Sequence, residues 1–413
     1  MGRVCWDMGY LLLWAARNEE AIATGRRGLH ALGDRVSADR CRLLTMAGLS
    51  HSFSCDYEAG DPLITQALTM AEELGDQHLL GEVLCYKAAH HWYYMQSREV
   101  AETGPRAAEL LRSAGDLWQL SNALWYTQFG LDLLGRHGEA AEIGEELEPL
   151  AVRLGNLGAL LVTRRLLGLR ELALTGDIDR FEEFARADLE LCRSADMPWV
   201  SNSYGYLSLA HFWRGRWQEA LENAQEAARL EPPGILAGFD WARLFLCTAY
   251  IRGSDAALAM LDERRDNLPR RGRANTFGAW TMLEAVVEGL VAVGERDEAA
   301  NLYPLVLEGM DTGTVWHSFL GSTHSVAGIA AAAGRQWEKA EEHFETALRQ
   351  AHEVPAVLAQ PETRRWYARM LIDRDSPGDR DKARQLLEEA IAMYRRIGMP
   401  KHVDVAEGML GGL

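Results

Sequence analysis

The chain has 413 residues, 48% of them apolar, which is enough to bury a large hydrophobic core. Its 60 acidic and 43 basic residues give a formal charge of -17, which repels phosphate backbones and anionic membrane surfaces. Composition and charge therefore exclude nucleic acid and membranes as expected partners.

The six cysteines show neither a C-x-x-C motif nor a regular disulfide spacing, which is typical of free thiols in a reducing compartment. The apolar segment MGYLLLWAA near the N-terminus only faintly resembles an export signal, because Asp7 interrupts it and no clear cleavage site follows. We expect a cytoplasmic protein.

The first predicted helix runs from about Gly2 to Arg17 and carries apolar side chains around most of its surface. The terminal helix of a stacked helical array normally has a polar outer face. Because this helix is apolar, we expect another module, a partner or a second copy of the chain to cover it, the last by self-association. A start codon assigned too far downstream is the alternative explanation.

Short glycine-centred phrases recur along the first part of the chain: ALGD, ELGD, SAGD and RLGN. Their glycines, Gly33, Gly75, Gly115 and Gly155, are separated by 42, 40 and 40 residues. Glycine readily adopts the left-handed conformation that ends a helix, and the Asp or Asn after it can cap the next helix. Each phrase therefore predicts a boundary between two helices.

A second sequence feature recurs between these boundaries. In each unit a turn is followed by a marked position, and the residue at this position is small in most units. A further small residue often lies seven positions later, as at Gly28 and Ala67. Two small side chains on one helix face let a neighbouring helix approach closely. The marked positions predict ten hairpins of about 40 residues and are Ala21, Gly60, Val100, Ala140, Phe181, Ala220, Ala257, Ala299, Ala340 and Ala383.

The sixth unit has the most specific pattern, with residues at the spacing of a known repeat: Tyr204, Leu207, Ser208, His211, Ala220, Ala224, Ala227 and Pro232. It resembles the tetratricopeptide repeat, lengthened by about six residues per unit. The resemblance implies an all-α, right-handed superhelical solenoid. Residues 1–398 would form about ten repeats and residues 399–413 a C-terminal capping helix, while the seventh and eighth units match the pattern poorly.

The C-terminal unit, residues 366–400, is similar to the last repeat of the tetratricopeptide arms of bacterial signalling proteins. Those arms accompany a regulatory ATPase module, together with a cyclase domain or a LuxR-type DNA-binding domain as in maltose-regulon-type activators. This sequence contains no G-x-x-x-x-G-K-[ST] phosphate loop and no helix-turn-helix after residue 400. The resemblance therefore implies a regulatory arm whose partner could be a separate ATPase or cyclase module.

The tetratricopeptide register implies that the first helix of each hairpin lines a concave groove. An exposed row of aromatic side chains is costly unless a partner covers it, and the alternative is that the rings pack on one another. Polar side chains on the same face could orient a protein or peptide. The predicted partner-binding residues are Trp6, Tyr10, Trp14, Arg42, Phe53, Glu82, Trp92, Tyr93, Asn122, Trp125, Phe129, Arg170, Asn202, Phe212 and Trp213.

The stretch HHWYYM, residues 90–95, could bind a metal, hold a ligand or simply form core. In the tetratricopeptide register His91 occupies the packing position where the pattern has Tyr, as do His51 and His211 in other units. A histidine that recurs there is expected to replace Tyr and to be hydrogen-bonded, rather than to bind a metal or another ligand. His51 and Cys55 could form one edge of a metal site, but zinc needs further ligands. We expect neither a metal nor a cofactor.

Motifs for catalysis are missing from the sequence, which has no H-E-x-x-H, no G-x-S-x-G and no glycine-rich dinucleotide turn. We therefore predict a non-catalytic binding and scaffold module of bacterial signal transduction. The alternative is a detached sensor arm of a cyclase, ATPase or transcriptional regulator that acts on a small ligand. An enzyme is the third possibility.

Overall fold

The computed structural model describes residues 2–14, 17–317, 321–354 and 356–413. Within these ranges the chain forms 22 α-helices and one two-stranded antiparallel sheet. The helices follow one another as ten hairpins and a last helix, which confirms the all-α helical-repeat prediction.

The bounds of the helices in the first five hairpins are α1 (Gly2–Trp14) with α2 (Asn18–Leu32), α3 (Ala38–Phe53) with α4 (Tyr57–Leu74), α5 (Gln77–Tyr93) with α6 (Ser97–Ala114), α7 (Leu117–Leu133) with α8 (His137–Leu154), and α9 (Leu157–Thr175) with α10 (Ile178–Ser194). Those of the later ones are α11 (Val200–Trp213) with α12 (Trp217–Leu230), α13 (Phe239–Arg252) with α14 (Ser254–Asp262), α15 (Phe277–Val293) with α16 (Arg296–Asn301) and α17 (Tyr303–Asp311), α18 (Thr323–Ala333) with α19 (Trp337–Glu353), α20 (Ala359–Arg374) with α21 (Asp379–Ile397), and the single helix α22 (Pro400–Leu410).

The chain divides into two compact units, which are described separately. The first unit contains Met1–Leu166 and two short later segments, Pro233–Ile235 and Ala274–Phe277. The second unit contains the remainder, Leu167–Pro232, Leu236–Arg273 and Gly278–Leu413.

The glycine phrases end helices as predicted. Gly75, Gly115 and Gly155 follow α4, α6 and α8 with left-handed φ angles of 66°, 73° and 67°. A side chain with a Cβ would be strained at such angles, so glycine is the residue that fits them.

The residues after these glycines cap the next helices. Side-chain oxygens of Asp76, Asp116 and Asn156 accept N–H groups in the first turns of α5, α7 and α9. The first phrase departs from the prediction, because Ser37 caps α3 by accepting the Arg40 N–H at 3.3 Å. Asp34 does not perform this role in α3.

The ten marked positions of the repeat are all buried, which confirms that they mark helix-packing faces. Gly60 of α4 shows why a small residue is needed there. A Cβ at this position would lie 2.5 Å from the Ser52 Oγ and 2.8 Å from the Gly48 carbonyl oxygen of α3. The backbones of the two helices therefore meet at this glycine.

We expect Gly60→Ala to lower the free energy of unfolding by about 1–3 kcal/mol, because the added methyl group overpacks a contact with a backbone oxygen that cannot rotate away. Gly138→Ala in α8 is the matched control, since a Cβ at Gly138 would meet nothing within 4 Å. That variant should gain up to about 1 kcal/mol from the better helix propensity of alanine. Urea unfolding of both proteins measures the difference, and equal effects would contradict the assigned close approach.

The seventh and eighth hairpins depart from the 40-residue pattern. Helix α14 has nine residues and is followed by a short 3₁₀ turn, Arg265–Asn267. The second half of the eighth hairpin is divided into α16 and α17, with Pro304 in the first turn of α17. Proline lacks an N–H and favours a helix start, which accounts for the division.

A small β-hairpin follows α17, in which β1 (Trp316–His317) pairs antiparallel with β2 (Gly321–Ser322). In the described part of the chain, no helix has both the length and the apolar content that crossing a bilayer requires. All six cysteines are free thiols, as predicted, and Cys55 is the exposed one.

The last helix, α22, occupies the segment predicted as a cap and packs against α21 and α11 within the second unit. His402 of α22 is buried, and its ring meets Phe212 edge-on at a centroid distance of 5.3 Å. The proposed boundary between a solenoid of residues 1–398 and a cap of residues 399–413 stays a prediction.

Candidate functional site

The fifteen predicted groove residues fall in both units. Eleven of them, from Trp6 to Phe129, belong to the first unit, and four, from Arg170 to Trp213, belong to the second. The side chain of Trp14 lies outside the described part of the structure.

Aromatic side chains of the first unit form a cluster, and Trp92 lies at its centre. The Trp92 ring centroid is 5.2 Å from Trp125, 5.2 Å from Phe129 and 5.4 Å from Tyr93. Phe277 completes the cluster at 6.0 Å from Trp92. The pattern could not identify Phe277, because this residue comes from a short segment far along the chain.

Rings from other predicted positions extend this cluster. Phe53 meets Tyr93 edge-on at 5.5 Å. Trp6 and Tyr10 of α1 pack on Tyr86 of α5, with centroid distances of 6.2 and 6.4 Å. Aromatic pairs at such distances stabilise one another beyond simple burial.

The central rings are covered mainly by each other, since Trp92 is only 8% exposed and Trp125 is also buried. The indole N–H of Trp92 is buried and has no hydrogen-bond partner among the described residues. The rings therefore pack on one another, and one buried donor has no partner among the described residues. The role of these rings in partner binding stays a prediction.

The polar residues predicted for the groove are paired within the protein. Arg42 Nε donates to Glu82 Oε2 at 2.7 Å, between α3 and α5. Asn122 donates to Gln119 Oε1 at 3.2 Å and accepts from Asn156 at 3.0 Å. The Arg42–Glu82 bond connects α3 with α5, and the Asn122–Asn156 bond connects α7 with the cap of α9, while the Asn122–Gln119 bond lies within α7.

The four predicted residues of the second unit have different surroundings. Phe212 lies among aromatic rings, with Tyr250 at 5.4 Å and Trp217 at 5.8 Å. Trp213 packs near Phe181 of α10 at 6.5 Å. Asn202 donates to the buried Asp240 at 2.9 Å, and the Nε of Arg170 has no partner among the described residues.

Exposed apolar side chains occur at successive junctions between hairpins of the first unit, and we call this set the turn-edge row. Its side chains are between 36% and 56% exposed. Each lies next to a glycine phrase or to the cap that follows it, so these positions can be recognised in the sequence. The row consists of Val36, Leu74, Leu117, Trp118, Val152 and Leu157.

Beside this row, three side chains bring possible metal-ligating atoms together. His78 and Glu82 lie four residues apart on α5, and Asp116 caps α7. Their ligand atoms all lie within 4.8 Å of one another. Glu82 is one of the predicted groove residues, whereas His78 and Asp116 were not predicted, although the i, i+4 spacing of His78 and Glu82 and the cap one repeat later can be recognised in the sequence.

The HHWYYM stretch brings together groups that resemble a nucleophile triad. His90 Nδ1 lies 2.7 Å from Ser52 Oγ, and its Nε2 lies 3.3 Å from Asp61 Oδ1. Both Ser52 and His90 are fully buried, and Tyr57 stacks on the imidazole at 4.9 Å. Burial, followed by the charge of His91, lowers the pKa of His90 to about 4. The arrangement is therefore a sealed packing contact between hairpins.

The recurring histidines of the packing position are hydrogen-bonded, as expected for substitutes of Tyr. His91 Nδ1 lies 2.6 Å from Gln96 Oε1, and His51 Nδ1 lies 3.1 Å from Asp56 Oδ2. His211 uses both ring nitrogens, with contacts to Glu182 and Asn223 at 3.3 Å each.

No protein-family model matches the chain, and no curated protein matches it significantly. Among solved structures, yeast Tom70 is similar over 99% of this chain and 95% of that chain, with 13% identity and a TM-score of 0.36. A Rap protein complexed with Competence and Sporulation Factor is similar over 100% and 97%, with 9% identity and a TM-score of 0.36. The TPR domain of P58(IPK) is similar over 100% and 98%, with 12% identity and a TM-score of 0.28. These likenesses concern the helical fold alone.

Proposed function

We propose that the first unit binds a protein or peptide partner along the turn-edge row. The observation that carries this proposal is the exposure of large apolar side chains at successive hairpin junctions, of which Trp118 is 42% exposed. Contiguous exposed apolar surface is typical of interaction sites, and Trp is enriched among the residues that dominate binding energy. The Trp118 indole donates to the Tyr10 hydroxyl at 3.2 Å, which fixes its orientation.

Trp118 is connected to the aromatic rings of the first unit through Tyr10, whose ring packs on Tyr86. A rigid binding surface loses little entropy when a partner binds, so this connection favours affinity. The partly exposed Tyr10, Phe53 and Phe129 extend the surface available for contact. The formal charge of -17 favours a partner whose apolar segment is flanked by basic residues.

The wider role that we propose is that of a non-catalytic regulatory arm or scaffold of bacterial signalling in the cytoplasm, with an ATPase or cyclase module as one partner. Self-association is a second proposed interaction, because α1 carries the exposed apolar residues Val4, Met8 and Leu11 on one face. A sensor arm that binds a small ligand is the alternative.

The row is tested by capture from native lysate on the immobilised full chain, with quantification of the recovered proteins. We expect Leu117→Ala and Trp118→Ala to reduce recovery of specific partners by about tenfold, the effect of losing one binding residue worth more than 1 kcal/mol. Leu307→Ala is the matched control, because Leu307 is an equally exposed leucine of the second unit.

Recovery that falls equally in Leu117→Ala and Leu307→Ala would contradict the proposed surface. Loss of recovery in Trp92→Ala and Trp125→Ala, with no change in Leu117→Ala, would instead place the partner on the aromatic cluster. Circular dichroism and thermal unfolding of each variant separate lost binding from lost folding.

A further inference from the structure

The ligand atoms of His78, Glu82 and Asp116 converge from two helices at the edge of the first unit. His78 Nε2 lies 2.9 Å from Asp116 Oδ2 and 3.9 Å from Glu82 Oε1. Two atoms bound to one tetrahedral metal at about 2.1 Å are about 3.4 Å apart. The observed distances lie on either side of that value, so small side-chain rotations bring the three atoms to coordinating positions.

The outer oxygens of both carboxylates are already held by the protein. Arg42 Nε donates to Glu82 Oε2 at 2.7 Å, and the Gln119 N–H donates to Asp116 Oδ1 at 3.0 Å. The opposite oxygens, Oε1 and Oδ2, are the ones that face His78. Metal-ligating carboxylates are commonly oriented by such outer hydrogen bonds.

The types of donor atom suit a transition-metal cation. Glu82 and Asp116 supply two negative charges, one of which is shared with Arg42. The N-termini of α5 and α7 contribute roughly half a positive charge each, which opposes a cation, so binding depends on direct coordination rather than on the local charge. A divalent ion at this position meets two carboxylates and a neutral imidazole, a donor set that suits zinc and similar first-row ions.

We propose that His78, Glu82 and Asp116 form a binding site for one divalent first-row transition-metal ion, with Zn²⁺ as the reference ion. Three protein ligands leave a coordination position open. His78 and Asp116 are half-buried, so that position is reachable from solvent. The site lies next to Leu117 and Trp118 in the chain, at the start of α7.

The test is calorimetric titration of the chelator-treated full chain with Zn²⁺, with Co²⁺ absorption as a second measurement. We expect one saturable equivalent and visible Co²⁺ bands. His78→Ala and Asp116→Asn should weaken Zn²⁺ binding by about tenfold or more, since loss of even an outer partner of a ligand commonly costs that much. Asparagine is a good cap, so Asp116→Asn removes the carboxylate but keeps the start of α7 intact.

His51→Ala is the matched control, because His51 pairs with a single carboxylate, that of Asp56. This variant should bind Zn²⁺ like the unmodified chain, and excess Mg²⁺ should not compete. The proposal is overturned if the chain shows no saturable Zn²⁺ equivalent. It is also overturned if His78→Ala and Asp116→Asn bind Zn²⁺ with unchanged affinity, or if His51→Ala weakens binding as much as they do.

Discussion

Replacement of Arg365 by methionine should lower the free energy of unfolding by about 3–5 kcal/mol, because it leaves buried carboxylates without their cation. The Arg365 side chain is 4% exposed in the second unit. One of its terminal nitrogens lies 2.5 Å from Glu362 Oε2, 2.9 Å from the Tyr250 hydroxyl and 3.7 Å from Glu288 Oε1. Urea unfolding measures the loss.

Arg369→Met provides the matched control one turn later on α20. Arg369 is 40% exposed and pairs with Asp373 at 3.4 Å, so its removal should change stability by less than about 1 kcal/mol. Adding Glu362→Gln to Arg365→Met should restore part of the loss, because it removes the uncompensated charge. Equal destabilisation by Arg365→Met and Arg369→Met would show that the network contributes no more than an exposed ion pair.

The helical hairpins could be predicted because their boundaries depend on local chemistry. Gly75 ends one helix through its left-handed backbone angle, and Asp76 caps the next helix through its side-chain hydrogen bonds. The two residues are adjacent in the chain, so this boundary can be recognised from a short stretch of sequence. The division of the eighth hairpin at Pro304 is also local, but it breaks the spacing from which the repeat was recognised. The short β-hairpin after α17 left no recognisable pattern in the sequence.

The candidate site was less predictable because it depends on contacts between repeats. Arg42 and Glu82 are 40 residues apart and therefore occupy equivalent positions in adjacent hairpins, where they pair with each other. The repeat register placed both on one face but treated them as free to orient a partner. Phe277 reaches Trp92 from a distant segment, and no periodicity encodes such a contact.

The exposure of the turn-edge row also depends on contacts between repeats and could not be predicted from the sequence. Leu117 and Trp118 follow the cap of α7, and an apolar residue there can either pack inward or face solvent. The outcome depends on which neighbouring helix covers it. Sequence spacing fixes the position on the helix, while exposure is a property of the assembled unit.

Glu284 should make the stability of the protein fall as the pH rises. Burial raises the pKa of this α15 carboxyl to about 8, from an ordinary value of 4.5. Glu288, one turn later, is raised to about 7 by burial and by the charge of Glu362. Between pH 4.5 and 8 the folded protein keeps a proton on Glu284 that the unfolded chain releases. The contribution of Glu284 to the free energy of unfolding is therefore fully present below about pH 4.5, and it is lost as the pH rises through about 8.

We expect Glu284→Gln to reduce the fall of the free energy of unfolding with pH and to leave the part due to Glu288, because glutamine stays neutral at every pH. A shift of this size corresponds to on the order of 5 kcal/mol between pH 4.5 and pH 8. Urea unfolding between pH 5 and 9 should give similar stability for the two proteins at the acid end and a more stable variant at the alkaline end. Glu353→Gln, at an exposed position on α19, should leave the profile unchanged. A constant difference between Glu284→Gln and the unmodified chain across the range would mean that Glu284 has the same charge in the folded and unfolded states.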